Sequence, residues 1–173
     1  MKLQIKGAVI LLAIISVIAM NACKKGDDGA PGKDGSSNVT SYTYSVSTWP
    51  YSSPEYYKNL SLPELTSDNI NTASVQVYLG TTTNTWRALP FTQYNAGAAD
   101  YLMGFETTIG SVKVTWIYDS SLSSGSDPNA YYSTTCQFKV VIIPPAAMAS
   151  HPGIDLKNYQ EVKNAFNIIE KAR

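Results

Sequence analysis

The chain has 173 residues, with 13 basic and 13 acidic side chains, one histidine and two cysteines; 44% of it is hydrophobic, 11% aromatic and 15% charged. That length suits one ordinary domain with additional segments. So sparse and balanced a charge set offers no basic stripe to displace counterions from a phosphate backbone, which argues against nucleic-acid binding, and a single histidine removes most histidine-built metal and triad chemistry.

Residues 1–22 open with Lys2 and Lys6, then run from Ala8 to Met20 with Ser16 as the one polar residue. A membrane-crossing helix needs about 20 apolar residues, and this run is shorter; a basic start before a short apolar stretch is the layout of a secretory signal peptide. The run ends in Ile18-Ala19-Met20-Asn21-Ala22-Cys23, which resembles the lipobox of bacterial lipoproteins. Ala22 and Cys23 match that pattern, whereas Met20 stands where leucine is usual and Asn21 is uncommon. The resemblance implies that the Cys23 thiol receives a diacylglycerol, that the bond before it is cut, and that the freed amine is acylated. Several chains anchor a protein stably where one does so only marginally. Cys136 is then left without a disulfide partner, and an exported domain of this size needs none. Losing Lys2 and Lys6 leaves acidic side chains in slight excess, so lipid rather than surface charge holds the chain to the membrane.

Residues 23–38 form the expected tether. Gly26-Asp27-Asp28, Gly29-Ala30-Pro31 and Gly32-Lys33-Asp34, followed by Gly35, repeat with the period of collagen. Three triplets with one proline are too few to hold a triple helix, so the segment reads as a flexible polar linker, spanning roughly 20 Å as a coil and up to about 55 Å stretched. Lys24, where inner-membrane lipoproteins tend to carry aspartate, implies by resemblance an outer-membrane destination. The Lys24-Lys25 and Asp27-Asp28 pairs are similar to the charged export tags of surface-exposed lipoproteins in the Bacteroidota.

Residues 39–173 carry the folded domain. Tyr42, Tyr44 and Val46 alternate with Thr43, Ser45 and Ser47; Val75, Val77 and Leu79 with Ser74, Gln76 and Tyr78; Tyr101, Met103 and Phe105 with Leu102, Gly104 and Glu106; Val112, Val114, Trp116 and Tyr118 with Lys113, Thr115 and Asp119. Alternation of this kind marks antiparallel strands with one face on a core and one in water. From Thr134 to Ile143, Cys136, Phe138, Val140 and Ile142 share one face while Val141 and Ile143 make the other apolar too, so something must cover it. Pro144-Pro145 ends that strand. Asn158 and Glu161 stand at capping-box spacing, and Val162, Ala165, Phe166 and Ile169 recur at helical intervals, with Lys171 and Arg173 suited to a helix C-terminus. The expected fold is all-β: a single antiparallel β-sandwich of about seven strands, with a C-terminal α-helix as the cover.

The lipobox and Gly-X-Y start, Val77-Tyr78, Trp86-Arg87-Ala88-Leu89-Pro90-Phe91, Phe138 to Pro144, and Asp155-Leu156 with Tyr159 and Val162 together resemble the small collagen-like lipoproteins of the Bacteroidota. The resemblance runs through most of the chain and implies a fold and an envelope location. It implies no particular chemistry.

Candidate chemistry is sparse. Ser150-His151-Pro152-Gly153 with Asp155 holds the residue types of a triad, but a flexible Pro/Gly segment supplies neither a serine on a rigid turn nor a carboxylate behind the imidazole, and an exposed hinge histidine is expected instead. A glycosidase needs two carboxylates about 5–10 Å apart; Glu55, Asp68, Asp119, Asp127 and Glu161 fall mostly in turns or the helix, where a solvated surface is expected. Asp127-Pro128-Asn129 offers only two side-chain ligands for calcium. Cys136, on the apolar face, should behave as a small hydrophobe. No cofactor or metal site is expected. The aromatic residues hold the most functional promise: Trp49, Tyr51, Tyr56 and Tyr57 crowd into a proline-stiffened segment, and Tyr131-Tyr132 follow another loop. Flat rings on stiff backbone either stack on sugars and anchor protein partners or fill and rim the core. The expected function is a membrane-anchored, non-enzymatic envelope module that binds a glycan or another protein through Trp49, Tyr51, Tyr56 and Tyr57. The alternatives are a structural or accessory subunit and a small carboxylate-dependent hydrolase.

Overall fold

The computed structural model describes residues 38–80, 85–93, 101–118, 129 and 135–173. The expected signal peptide (1–22), Cys23 with the lipobox-like sequence before it, the expected tether, Asp119, Asp127 and Tyr131-Tyr132 lie outside the described residues.

Two five-stranded sheets face each other. The first consists of β1 (Thr40–Val46), β4 (Ser74–Gly80), β5 (Trp86–Ala88), β9 (Cys136–Ile143) and β10 (Ile169–Ala172), in the order β10-β1-β9-β4-β5; the second consists of β2 (Tyr51–Ser52), β3 (Glu55–Ser61), β6 (Phe91–Gln93), β7 (Tyr101–Thr108) and β8 (Ser111–Tyr118), in the order β2-β3-β8-β7-β6. All pairings are antiparallel except β1 with β10, which run parallel. The fold is therefore the expected all-β sandwich, with ten strands among the described residues rather than about seven. The additional strands are mostly edge pieces, and segments as short as β2, β5 and β6 are too brief to show a period-two pattern.

The alternating residues point as the sequence requires. Tyr42, Tyr44, Val46, Val77, Leu79, Cys136, Phe138, Val140 and Ile142 face Val112, Val114, Trp116, Tyr101 and Met103 across one core. Between β7 and β8 the chain reverses over Ile109-Gly110, and Gly110 adopts φ 78°, a conformation that favours glycine. The Gly110 amide donates to Leu65 O and its carbonyl accepts from Leu62 N, both at 2.8 Å, which fastens the segment after β3 to that turn. Leu89 and Pro90 carry the chain from β5 in the first sheet to β6 in the second.

The outer face of the first sheet is not wet. Val39, Tyr78, Val141 and Ile143 form a second core with Ala147 of α1 (Pro145–Ser150) and Tyr159, Val162 and Phe166 of α2 (Tyr159–Phe166). This is the cover that Val141 and Ile143 demanded. Tyr78, expected on a solvated face, is fully buried there, and its hydroxyl donates to Leu156 O at 2.6 Å. Asn158 caps α2 by accepting from Glu161 N at 3.3 Å.

The end of the chain differs from expectation. The helix stops at Asn167, whose φ of 47° is left-handed, and Ile169 lies in β10, half exposed, rather than continuing the helical stripe. Asparagine tolerates this conformation better than most residues, so the local chemistry favours a stop there. Lys171 and Arg173 consequently sit over the Tyr42 ring, at 5.5 and 4.7 Å, instead of at a helix terminus.

Candidate functional site

The structure separates the four aromatic residues read as a binding set. Trp49 is in the core, 3% exposed, with its ring edge-on to Trp116 at 5.6 Å and to Phe138 at 5.7 Å. Asn129 fixes its backbone, accepting from Trp49 N at 2.7 Å and donating to Trp49 O at 3.0 Å. Trp49 thus fills the end of the sandwich between the two sheets and is removed from the set of surface contacts. The physical reason is that β1 must cross to β2 there, and a large ring closes the gap between the facing sheets.

Tyr51 and Tyr56 are brought together. They are direct cross-strand partners on the β2–β3 hairpin, with ring centroids 4.8 Å apart. Tyr51 is 59% exposed and Tyr56 half-buried. Tyr56 in turn meets Tyr118 edge-on at 6.4 Å, Tyr118 meets Tyr101 at 6.2 Å, and Tyr101 meets Phe91 at 6.3 Å. A row of rings therefore crosses the second sheet from β2 to β6, exposed at Tyr51 and half-buried at Phe91. Tyr57 projects from the opposite face of β3, where the Lys113 ammonium lies 5.4 Å from its ring centroid and pairs with Glu55 and, at 3.7 Å, with Glu106. Strand alternation makes this split unavoidable, because adjacent residues cannot share a face.

The far edge of the first sheet forms a cleft of about 610 Å³ lined by residues 85–91 and Lys157. A backbone bridge between Arg87 and Asn158 brings the two segments side by side. The Arg87 guanidinium lies 3.7 Å over the Phe91 ring, and its Nη1 donates to Gln93 Oε1 at 2.6 Å. Asp155 accepts from Lys157 N at 2.9 Å, which shapes the turn that carries Lys157. A smaller hollow of about 320 Å³, lined by Thr85, Trp86, Asn158, Tyr159 and Gln160, lies along the same two segments.

Beneath α2 lies an ionic cluster. Lys139, 5% exposed, donates to Tyr159 Oη at 2.9 Å, pairs with Glu170 at 3.3 Å, and stands 4.4 and 4.5 Å from the ring centroids of Trp86 and Tyr159. Glu170 also accepts from Tyr159 Oη at 3.0 Å and pairs with Lys163 at 3.2 Å. Burial lowers the Lys139 pKa against the opposing pull of Glu170. Burial also raises the Tyr159 phenol. For Glu170, burial would raise the pKa, but hydrogen bonds from Tyr159, Lys163 and Lys139 outweigh it and hold the carboxyl below its ordinary value. The arrangement ties β10 to β9 and α2 through one carboxylate.

The remaining candidates have structural surroundings. Cys136 is buried and its thiol is pushed up to about 11 by burial, which suppresses the nucleophilic thiolate at neutral pH. Ser150 Oγ lies 2.9 Å from His151 Nδ1, but Oγ also donates to Ala147 O at 2.8 Å, the His151 ring packs on Phe166 at 4.9 Å, and Asp155 binds the Lys157 amide; the triad geometry is not assembled. Asn129, considered for calcium, has its side chain on the Trp49 backbone.

No family model matches this chain, and no curated protein or solved structure matches it significantly. The site is therefore read from its own residues. The cluster around Lys139 and the cleft shared by Arg87 and Lys157 were not anticipated. A signal for the first was present: Lys139 shares parity with Val141 and Ile143, so a lysine was bound to sit on a face that needed a cover. The second depends on a bridge between residues 71 positions apart, which no local pattern encodes.

Proposed function

We propose that this chain is an outer-membrane lipoprotein anchored through acylated Cys23, of the small collagen-like type its sequence resembles, and that its β-sandwich binds a glycan or another envelope protein without transforming it. Met1 to Cys23 supports the anchor, and Lys24 supports the outer-membrane destination. What supports binding is the Tyr51–Tyr56 pair: an exposed ring braced at 4.8 Å by its cross-strand neighbour, on a two-residue strand held by a proline turn. A ring already stiffened in this way loses little conformational freedom when a ligand stacks on it. Its exposure serves no purpose in the core, where Trp49, Trp116 and Phe138 already close that end.

Arrays of glycans and of envelope proteins, probed with the purified chain and with Tyr51→Ala, test this reading. Binding that falls at least tenfold in the variant supports it. Binding that is retained in full, or none to any glycan or protein, refutes it. Digestion of whole cells with protease tests surface exposure: degradation only after the outer membrane is opened places the domain on the periplasmic side.

A further inference from the structure

The cleft along β5 has a chemical character that the tyrosine edge lacks. Among its described lining residues are two cations, Arg87 and Lys157, and no carboxylate; the rest of that lining is largely apolar, with Pro90 and Phe91 prominent. Asp155, the nearby acid, is turned to the Lys157 backbone amide. Arg87 is held in place by the Phe91 ring 3.7 Å beneath the guanidinium, by Gln93 Oε1, which accepts from Nη1 at 2.6 Å, and by Thr92 O, which accepts from Nη2 at 3.5 Å. A flat guanidinium fixed in this manner keeps further N–H donors for a planar anion, and a carboxylate matches their fork geometry. The volume, about 610 Å³, is within the range of small-ligand clefts.

Two classes of occupant fit an apolar wall with cations: an acidic peptide and an acidic sugar. An extended peptide gains most of its affinity at a sheet edge from backbone hydrogen bonds. Here the β5 edge is already bridged to Asn158 beside Arg87, so that mode of capture is obstructed and recognition falls to side chains. Side-chain cations together with flat apolar surface suit a pyranose ring bearing a carboxylate.

We propose that this cleft binds a carboxylate-bearing saccharide, with Arg87 and Lys157 meeting the carboxylate and Pro90 meeting the C–H face of the ring. This goes beyond the Tyr51 reading and adds a second binding surface. The cleft lies at the β5 edge, away from Tyr51, so the two surfaces are separable by mutation.

The test is calorimetric titration of the full chain in detergent with a galacturonate oligomer, its methyl ester, and a neutral oligosaccharide of equal length. The acid should bind about tenfold tighter than the ester, the scale of one charge-assisted hydrogen bond. Arg87→Gln and Lys157→Gln should each erase most of that preference, with unchanged melting temperatures. Lys171→Gln, the same charge change on the opposite edge of the sheet, should leave it intact. Equal binding of acid and ester, a preference that survives both cleft variants, or no uronate binding at millimolar concentration overturns the proposal. An array ligand that depends on Tyr51, together with no preference for acid over ester in the titration, overturns the cleft alone and leaves the binding module standing. Chain cleavage of the bound uronate oligomer would keep the cleft and overturn the non-enzymatic reading.

Discussion

Replacing Trp49 with alanine is the sharpest test of the sandwich as described. The side chain is 3% exposed and meets Trp116 and Phe138 edge-on at 5.6 and 5.7 Å. Truncating a buried tryptophan costs about 3–5 kcal/mol, the sum of lost transfer energy and the cavity left behind. The upper half of that range applies, because both aromatic contacts vanish and the Asn129 clamp on the Trp49 backbone keeps the chain from collapsing into the gap. With a urea slope of about 2 kcal/mol/M, a loss of about 4 kcal/mol lowers the unfolding midpoint by about 2 M. Urea titration followed by near-ultraviolet circular dichroism measures this, and Trp49→Phe should recover about half of the loss. A Trp49→Ala variant destabilised by less than about 1 kcal/mol would show that the ring does not fill the end of the sandwich.

Other predictions concern the second core. Glu170→Gln should destabilise by roughly 0.5–1 kcal/mol at neutral pH, a modest figure because the carboxylate is half exposed. Since its pKa is held below the ordinary value of 4.5, the wild-type advantage is complete above that value and declines as pH falls through the lowered one; the gap between the urea midpoints of the two proteins should be smaller at pH 3 than at pH 7, and an unchanged gap refutes the assignment. Lys139→Met should be neutral or stabilising by about 1–2 kcal/mol at pH 7, because a buried ammonium is replaced by an apolar chain of similar length. A lysine whose folded pKa is lowered weakens the protein while it stays charged, and the penalty shrinks as pH rises from that lowered value toward 10.5, so the benefit of methionine should diminish at high pH. A loss above about 2 kcal/mol at pH 7 would mean that the Tyr159–Glu170 contacts are net stabilising. Cys136, its thiol pushed up to about 11, should resist iodoacetamide at pH 8 in the native protein and react in urea, as mass measurement would reveal; native alkylation would contradict its burial.

Much of the sandwich is legible in the chain because its signal is local. Val112, Val114 and Trp116 declare one face of β8 by simple alternation, and the doubly apolar end of β9 announces a covering layer through its residue types alone. What escaped was short or non-local. The sequence pattern carried the helical stripe through to Ile169, since Val162, Ala165 and Phe166 set that period, but Asn167 breaks it with a left-handed turn and sends the chain into a parallel edge strand. The candidate site suffered from the same limit. Trp49, Tyr51, Tyr56 and Tyr57 are neighbours in sequence, yet the β1-to-β2 crossing buries the first, the hairpin pairs the next two, and strand alternation sends the last to the opposite face. Arg87 and Lys157 line one cleft because a backbone bridge joins β5 to the turn before α2, a contact with no periodicity to betray it.

The central proposal is that a lipid on Cys23 holds the β-sandwich at the envelope. Intact-mass spectrometry of the protein purified from its native membrane measures that directly. The account predicts a chain that begins at Cys23 and carries the added mass of a diacylglycerol and an amide-linked acyl group. A free Cys23 thiol, or residues 1–22 still attached in the mature protein, would contradict it.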